Sequence, residues 1–273
     1  MWQRAVSNDL ALTEESYRKA LRRAKEVEIE VQEGKTGRER EKQWFNAIRR
    51  DVGNTYPDLK IFQPGGPLNE GLMDVLMAYS MYRSDVGYSH GTHVSVQLLN
   101  NSRFTDASLQ LIAALLILSL PTPAVTFLTL ANTLNRPLPL AFIIHDPGAM
   151  QKSYTLTSNI LAFKFPRLHH HLLETLQLKE EELYEHMFQT LFTCGLEIDL
   201  ASRLWDVFVF EGDTMCIRAA VAILGKLEGK LYGTRAEVLG VLRGRWDVGK
   251  EDEFMLAVRS AGKEDKRAAV GKT

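Results

Sequence analysis

The sequence predicts an all-α fold arranged as a single multi-helix domain. Three observations carry this. Apolar residues recur at helical spacing in segment after segment, alternation of period two is scarce, and no strand–helix–strand repeat occurs along the 273 residues. With 45% hydrophobic residues, the chain can bury one large core or two small ones. Its 33 basic residues balance 34 acidic ones, so net charge does not draw it to nucleic acid or to an anionic membrane.

The elements follow in order. Thr13 offers an N-cap, with Glu14 and Glu15 in the first turn, and a charge-rich exposed helix is expected from Tyr17 to Val31. Gly34 to Arg40 is a polar break. Its GKT matches the end of a phosphate-binding loop, but no glycine stands five residues before Gly34 and no apolar strand leads into it. A helix from Gln43 to Asp51 is stopped before Pro57. Phe62 to Pro67 reads as a rigid loop. From Leu68 to Tyr82, Leu72, Val75, Leu76 and Tyr79 share one helix face. His93 to Leu99 and Leu109 to Leu118 read as buried.

No residue from Ala107 to Asn135 is charged, which raises the question of a membrane span. Pro121 and Pro123 interrupt that run, and Leu109 to Leu120 is too short to cross a bilayer. Two buried helices joined at a proline turn are expected. His145-Asp146-Pro147-Gly148 reads as a turn with an Asp cap. Pro147 to Phe165, Leu168 to Leu176, Glu181 to Cys194, Leu200 to Phe210, Thr214 to Leu227 and Arg235 to Leu242 complete the helices. Trp205 and Phe208 are expected in the core. The tail after Ser260 has little to bury.

Cys194 and Cys216 lie in apolar stretches and read as buried thiols of a reducing compartment rather than a disulfide. The first ten residues hold no apolar run of signal-peptide length. His169, His170 and His171 are consecutive, so on a helix they point about 100° apart and cannot easily share a metal. Gly87-Tyr88-Ser89-His90-Gly91 fits G-x-S-x-G, and Asp146 and His186 follow in the order of a serine hydrolase triad. That motif needs a buried strand before the serine. The preceding residues, AYSMYRSDV, read instead as a helix end.

Two stretches stand out chemically, Asn46 to Pro57 (NAIRRDVGNTYP) and Asp85 to His93 (DVGYSHGTH). The first sets two arginines, an aspartate and an asparagine at the end of an aromatic-rich helix. The second mixes Gly, Tyr, Ser and His ahead of an apolar segment. The two are expected to face one another.

These stretches carry a resemblance. Ile48, Asp51 and Thr55 match I-x-x-D-x-x-R-T, Val86 to Gly91 resembles V-G-Y-C-Q-G, and Arg203-Leu204-Trp205-Asp206 with Phe208 and Glu211-Gly212 resembles R-I-W-D…EG. Met1 to Ala5 resembles the part of the family's opening that carries its tryptophan. In order and spacing the chain is similar to the TBC domain, the all-helical domain of activators of Rab-family small GTPases. The resemblance implies a domain over residues 1–250, with 251–273 a helix end and tail. Residues that precede that tryptophan in the family are absent, so the chain is expected to begin just inside the family's N-terminal boundary.

The resemblance also implies a mechanism. An arginine from the first motif stabilises charge on the γ-phosphate, and a glutamine from the second holds the attacking water. Here those positions are Asn54 and His90. Arg50, four residues before Asn54, shares its helix face if the helix continues. By motif, the catalytic positions are therefore Asn54 and His90, with Arg50 as a substitute, and the GTPase-binding set is Asp51, Thr55, Gly87, Tyr88 and Gly91. The expected partner is a Rab-family GTPase that itself carries GTP and Mg²⁺. No cofactor, metal or nucleic acid is implied for this chain, and a cytoplasmic location is expected, peripheral to membranes through the partner. Asn54 and His90 imply weak activation or none; an inert adaptor in membrane traffic is the alternative.

Overall fold

The helix signals act where the sequence sets them. The computed structural model describes residues 2–88 and 108–262, and no strand occurs among them. The chain packs as two compact units, Met1–Ile144 and His145–Thr273.

In the first unit, α1 spans Trp2–Ala5, α2 Glu14–Gln32, α3 Glu39–Gly53, α4 Asn69–Tyr82, α5 Ser108–Ser119, α6 Pro123–Leu134 and α7 Pro137–Ile143. Thr13 opens α2 in a reciprocal cap with Ser16, each satisfying the other's backbone N–H. The buried stripe Tyr17, Ala20, Ala24 and Val27 then lays α2 on α4. Small residues in that stripe let the two helices approach closely. α4 is the central helix, packed against α2, α3, α5 and α6, and Leu72, Val75 and Leu76 are fully buried. α5 and α6 are the uncharged pair, joined at Pro121. Thr122 caps α6 by accepting from the Val125 N–H, and Pro123 sits at its first turn, where no N–H is needed. No helix among the described residues is long and apolar enough to cross a membrane. Asn132 on α6 accepts from the Leu10 N–H and donates to Asn8, which ties the N-terminal segment down.

In the second unit, α8 spans Pro147–Lys164, α9 Pro166–His169, α10 Glu180–Gln189, α11 Ile198–Glu211, α12 Asp213–Lys226, α13 Arg235–Arg243 and α14 Glu251–Ala261. Asp146 caps α8 by accepting from Gly148 and Ala149. α12 is the hub, packed against α8, α10, α11 and α14 and apolar on nearly every side. Trp205 and Phe208 lie in the core, 1% exposed each. Cys194 and Cys216 are free thiols. Cys216 is buried, and burial pushes the half-buried Cys194 up to about 11.

Several segments differ from the expected bounds, and α7 matches none of the individually expected helices. α3 begins at Glu39, inside the predicted break. α9 passes into a π-turn over His170–Thr175, where His171 Nε2 meets the Gly233 carbonyl at 3.3 Å. The helix expected to run to Cys194 ends at Gln189, because Leu191 and Phe192 take positive φ (45° and 68°) and fold their side chains into the core. α14 begins beyond the last predicted helix and buries Phe254, Met255 and Val258. The expected buried segment His93 to Leu99 and all but the first residues of the tail after Ser260 lie outside the described residues.

Candidate functional site

α3 is amphipathic, and its buried face (Trp44, Phe45, Ala47, Ile48, Asp51, Val52) brings one carboxylate into the interior near its end. The last carbonyls of the helix need partners, and the NT pair supplies them. The Asn54 and Thr55 N–H groups bond the Asp51 and Val52 carbonyls. Thr55 Oγ1 donates to Asp51 O at 2.8 Å, and Asn54 Nδ2 donates to Arg50 O at 3.0 Å. Asn54 is exposed and Thr55 buried. The chain then turns through Tyr56, held at φ 39° and ψ 64°, directly before Pro57.

The Asp51 carboxylate is shared. Oδ1 accepts from Arg50 Nε at 2.9 Å, and Oδ2 accepts from the Tyr88 hydroxyl at 3.0 Å. Tyr88 is 2% exposed, and its hydroxyl also lies 3.4 Å from Gln110 Oε1 on α5. A buried carboxylate is tolerated only when its lone pairs are satisfied, here by a cation on one side and a hydroxyl on the other. Arg50 itself is 56% exposed at the side chain.

The second stretch is anchored to α3 from above. After α4, Arg83 grips Asp85 through two of its nitrogens, 2.9 and 2.8 Å from the carboxylate oxygens. This hydrogen-bonded pairing with Arg83 holds the Asp85 carboxyl below its usual range. Gly87 follows at φ +72°, and a Cβ there would meet the Trp44 ring at 2.0 Å. Only glycine allows both that backbone conformation and that approach. Arg40 lies 4.7 Å over the Trp44 ring, and its Nη2 reaches the Asp85 carbonyl at 3.4 Å.

The structure thus brings together Arg50, Asp51, Asn54, Thr55, Gly87 and Tyr88. His90 and Gly91, with Ser89, lie outside the described residues. Trp44, Arg40 and Gln110 complete the cluster and went unread in the sequence. Trp44 looks like any apolar-face aromatic, and Gln110 stands 22 residues from its tyrosine. A serine-hydrolase elbow finds no support. The stretch before Ser89 is helix α4 and a turn, and no strand occurs among the described residues. No group of histidine, cysteine and acidic side chains among the described residues could hold a metal.

Comparison with known proteins now decides the family. The model of the Rab-GTPase-TBC domain matches residues 1–232. The chain belongs to the Rab-GTPase-TBC domain family. TBC1 domain family member 14 of Homo sapiens is 33% identical over 237 residues, which cover 84% of this chain and 32% of the human protein. TBC1 domain family member 12 of Xenopus tropicalis is 34% identical over 233 residues, covering 82% of this chain and 31% of that protein. The chain therefore spans about a third of the length of these relatives. In fold, this TBC domain resembles the crystal structure of the Chlamydomonas flagellar RabGAP TBC domain. There the TM-score is 0.70 at 20% identity, covering 94% of this chain and 77% of that one. The Ypt/Rab-GAP domain of Gyp1p gives a TM-score of 0.66 at 14% identity, covering 91% and 78%.

Proposed function

We propose that this chain is a regulator that binds a Rab-family GTPase and accelerates GTP hydrolysis weakly or not at all. The observation that carries the reading is Asn54. By motif it stands where the family carries its catalytic arginine; it is short and neutral, and it commits its amide to the Arg50 carbonyl of its own helix. A trans-acting arginine acts by meeting charge that develops in the transition state, and is worth roughly 10³ to 10⁵ in rate. A neutral side chain turned back on its helix supplies none of that. His90 stands at the water-holding glutamine position and offers one donor and one acceptor when neutral. Family membership and the Asp51–Tyr88 pairing between the two motifs support retention of the binding surface. In this reading Asp51, Thr55, Gly87, Tyr88 and Gly91 shape the surface that meets the GTPase, within a domain over residues 1–250. GTP and Mg²⁺ arrive on the partner. The protein then acts in Rab-regulated membrane traffic, in the cytoplasm and at membranes through that partner.

The test is single-turnover GTP hydrolysis across a panel of Rab proteins, paired with equilibrium binding. Binding to at least one Rab with a hydrolysis rate near the intrinsic one is expected. Strong acceleration, or no binding to any Rab, contradicts the reading.

A further inference from the structure

A dense run of basic residues that the candidate site leaves unused lies on α2. Residues 18–25 (RKALRRAK) hold five cations and no acid. Ala20 and Ala24 of this run sit in the buried stripe that packs on α4. The cations divide into two kinds. Arg18 pairs with Glu14 at 3.1 Å and Glu15 at 3.7 Å, and Lys25 pairs with Asp74 at 2.7 Å. Lys19, Arg22 and Arg23 are exposed and make no hydrogen bond or ion pair among the described residues. Spaced i, i+3 and i+4, they share one strip of the helix. The strip is bounded by Glu15, engaged with Arg18, and by Glu26, which draws none of the three into an ion pair. Like charges at this spacing destabilise a helix, and nothing among the described residues offsets that here.

We propose that this strip docks the domain on an anionic bilayer surface. Clusters of Lys and Arg on one helix face are held by the field of a leaflet rich in acidic headgroups, without a shaped pocket. A straight row with no aromatic residue among the cations suits such a diffuse field, whereas single-stranded nucleic acid needs rings on which its bases stack. The apolar face of α2 is buried against α4, so the helix inserts nothing and the contact is electrostatic. Each cation near such a surface raises partition about fivefold, and three together about a hundredfold over a neutral bilayer. Salt screens a contact of this kind. It needs no GTPase and so goes beyond the reading above. A GTPase held on the same membrane would reinforce it, because the second contact then forms at high effective concentration.

Flotation of the full chain with lipid vesicles, without any GTPase, tests this. Vesicles of phosphatidylcholine are compared with vesicles of phosphatidylcholine and phosphatidylserine in equal parts, at low and at high salt. The chains are wild type, the triple variant Lys19→Gln, Arg22→Gln, Arg23→Gln, and Lys152→Gln, which removes an exposed cation of the second unit. Thermal melting confirms that each folds. Wild type is expected to partition about a hundredfold more onto the charged vesicles at low salt and to lose most of that at high salt. The triple variant should fall to the level of neutral vesicles, and Lys152→Gln should lose nothing. Should the triple variant not melt as wild type does, Arg22→Gln alone replaces it, with an expected loss of about fivefold. Equal binding of wild type to both kinds of vesicle, or charged-vesicle binding that the variants keep, overturns the inference. Tighter binding to a DNA duplex than to the charged vesicles, lost in the triple variant, also overturns it and assigns the strip to nucleic acid. None of these outcomes touches the Rab-binding reading, which stands or falls on the hydrolysis and binding panel.

Discussion

The ends of α3 and α10 face the same local problem and solve it differently. Each helix leads into a turn that uses a bulky residue at positive φ, Tyr56 after α3 and Leu191 with Phe192 after α10. Such backbone is unfavourable for side chains of this size and persists only where the surroundings enforce it. After α10 the core enforces it. Leu191 and Phe192 are each 1% exposed, Trp205 Nε1 donates to Leu191 O at 3.1 Å, and Trp246 N donates to Gly195 O at 2.7 Å. After α3 the enforcement is polar. Thr55, Asn54 and Asp51 close the turn by hydrogen bonds, and Arg50 and Asn54 remain at the surface. A turn locked by apolar packing can only be structural. A turn locked by buried polar groups beneath exposed ones can meet a partner.

The largest effect should come from unlocking the apolar turn. Trp205→Ala removes a 1%-exposed indole and the donor to Leu191 O. A loss of about 3–5 kcal/mol is expected in denaturant unfolding. A loss under about 1 kcal/mol would mean that the α10 turn holds itself, and the comparison would fail.

Gly87→Ala probes the polar side. The added Cβ would strike the Trp44 ring at a residue whose φ is +72°. A cost of about 2–4 kcal/mol is expected. Gly65→Ala is the control: φ there is +83° but nothing lies within 4 Å, so only the backbone term remains. That term is about 1 kcal/mol. Equal losses at the two glycines would show that Trp44 yields freely and does not anchor the second stretch.

His186 sharpens the contrast through pH. Its Nε2 is sealed from solvent without a hydrogen-bond partner, edge-on to Trp246. Burial, with Arg243 second, lowers its pKa to about 4. Above pH 6.5 both folded and unfolded chains hold it neutral. As pH falls toward 4 the unfolded chain takes the proton first, so stability drops through that window, on the order of 3 kcal/mol. His186→Phe should flatten this part of the pH–stability curve; an unchanged curve would assign the drop to other groups.

The smallest expected effect is at the shared carboxylate. Tyr88→Phe deletes the hydroxyl on Asp51 Oδ2. About 1 kcal/mol should be lost, with binding to a Rab weakened because the second stretch is less well held. Unchanged stability and unchanged binding would remove Tyr88 from the account.

Much of this was legible in the sequence where local chemistry decides structure. The Thr13 and Asp146 caps, the Leu72–Val75–Leu76–Tyr79 face and the proline turn between α5 and α6 follow from rules acting within a few residues. The early stop of α10 was not legible. QTLFTC holds neither glycine nor proline, and the turn exists because the core takes Leu191 and Phe192. At the candidate site, the two polar stretches stand out by composition. Trp44 and Gln110 do not, since each joins the site through a contact distant in sequence. The direction of the Asn54 amide was equally hidden. Residue type says what it can bond, and only the geometry of the helix end says that it bonds Arg50 O.

Changing Asn54 and His90 together tests the central claim most directly. Phosphate release under single-turnover conditions is measured for wild type and for Asn54→Arg with His90→Gln, on one Rab that the chain binds. The account predicts a wild-type rate near the intrinsic one and a clear rise in the double variant. The rise will fall short of the full roughly 10³-fold if the surroundings no longer align the new guanidinium. Fast hydrolysis by the wild type, or no rise in the double variant, would contradict it.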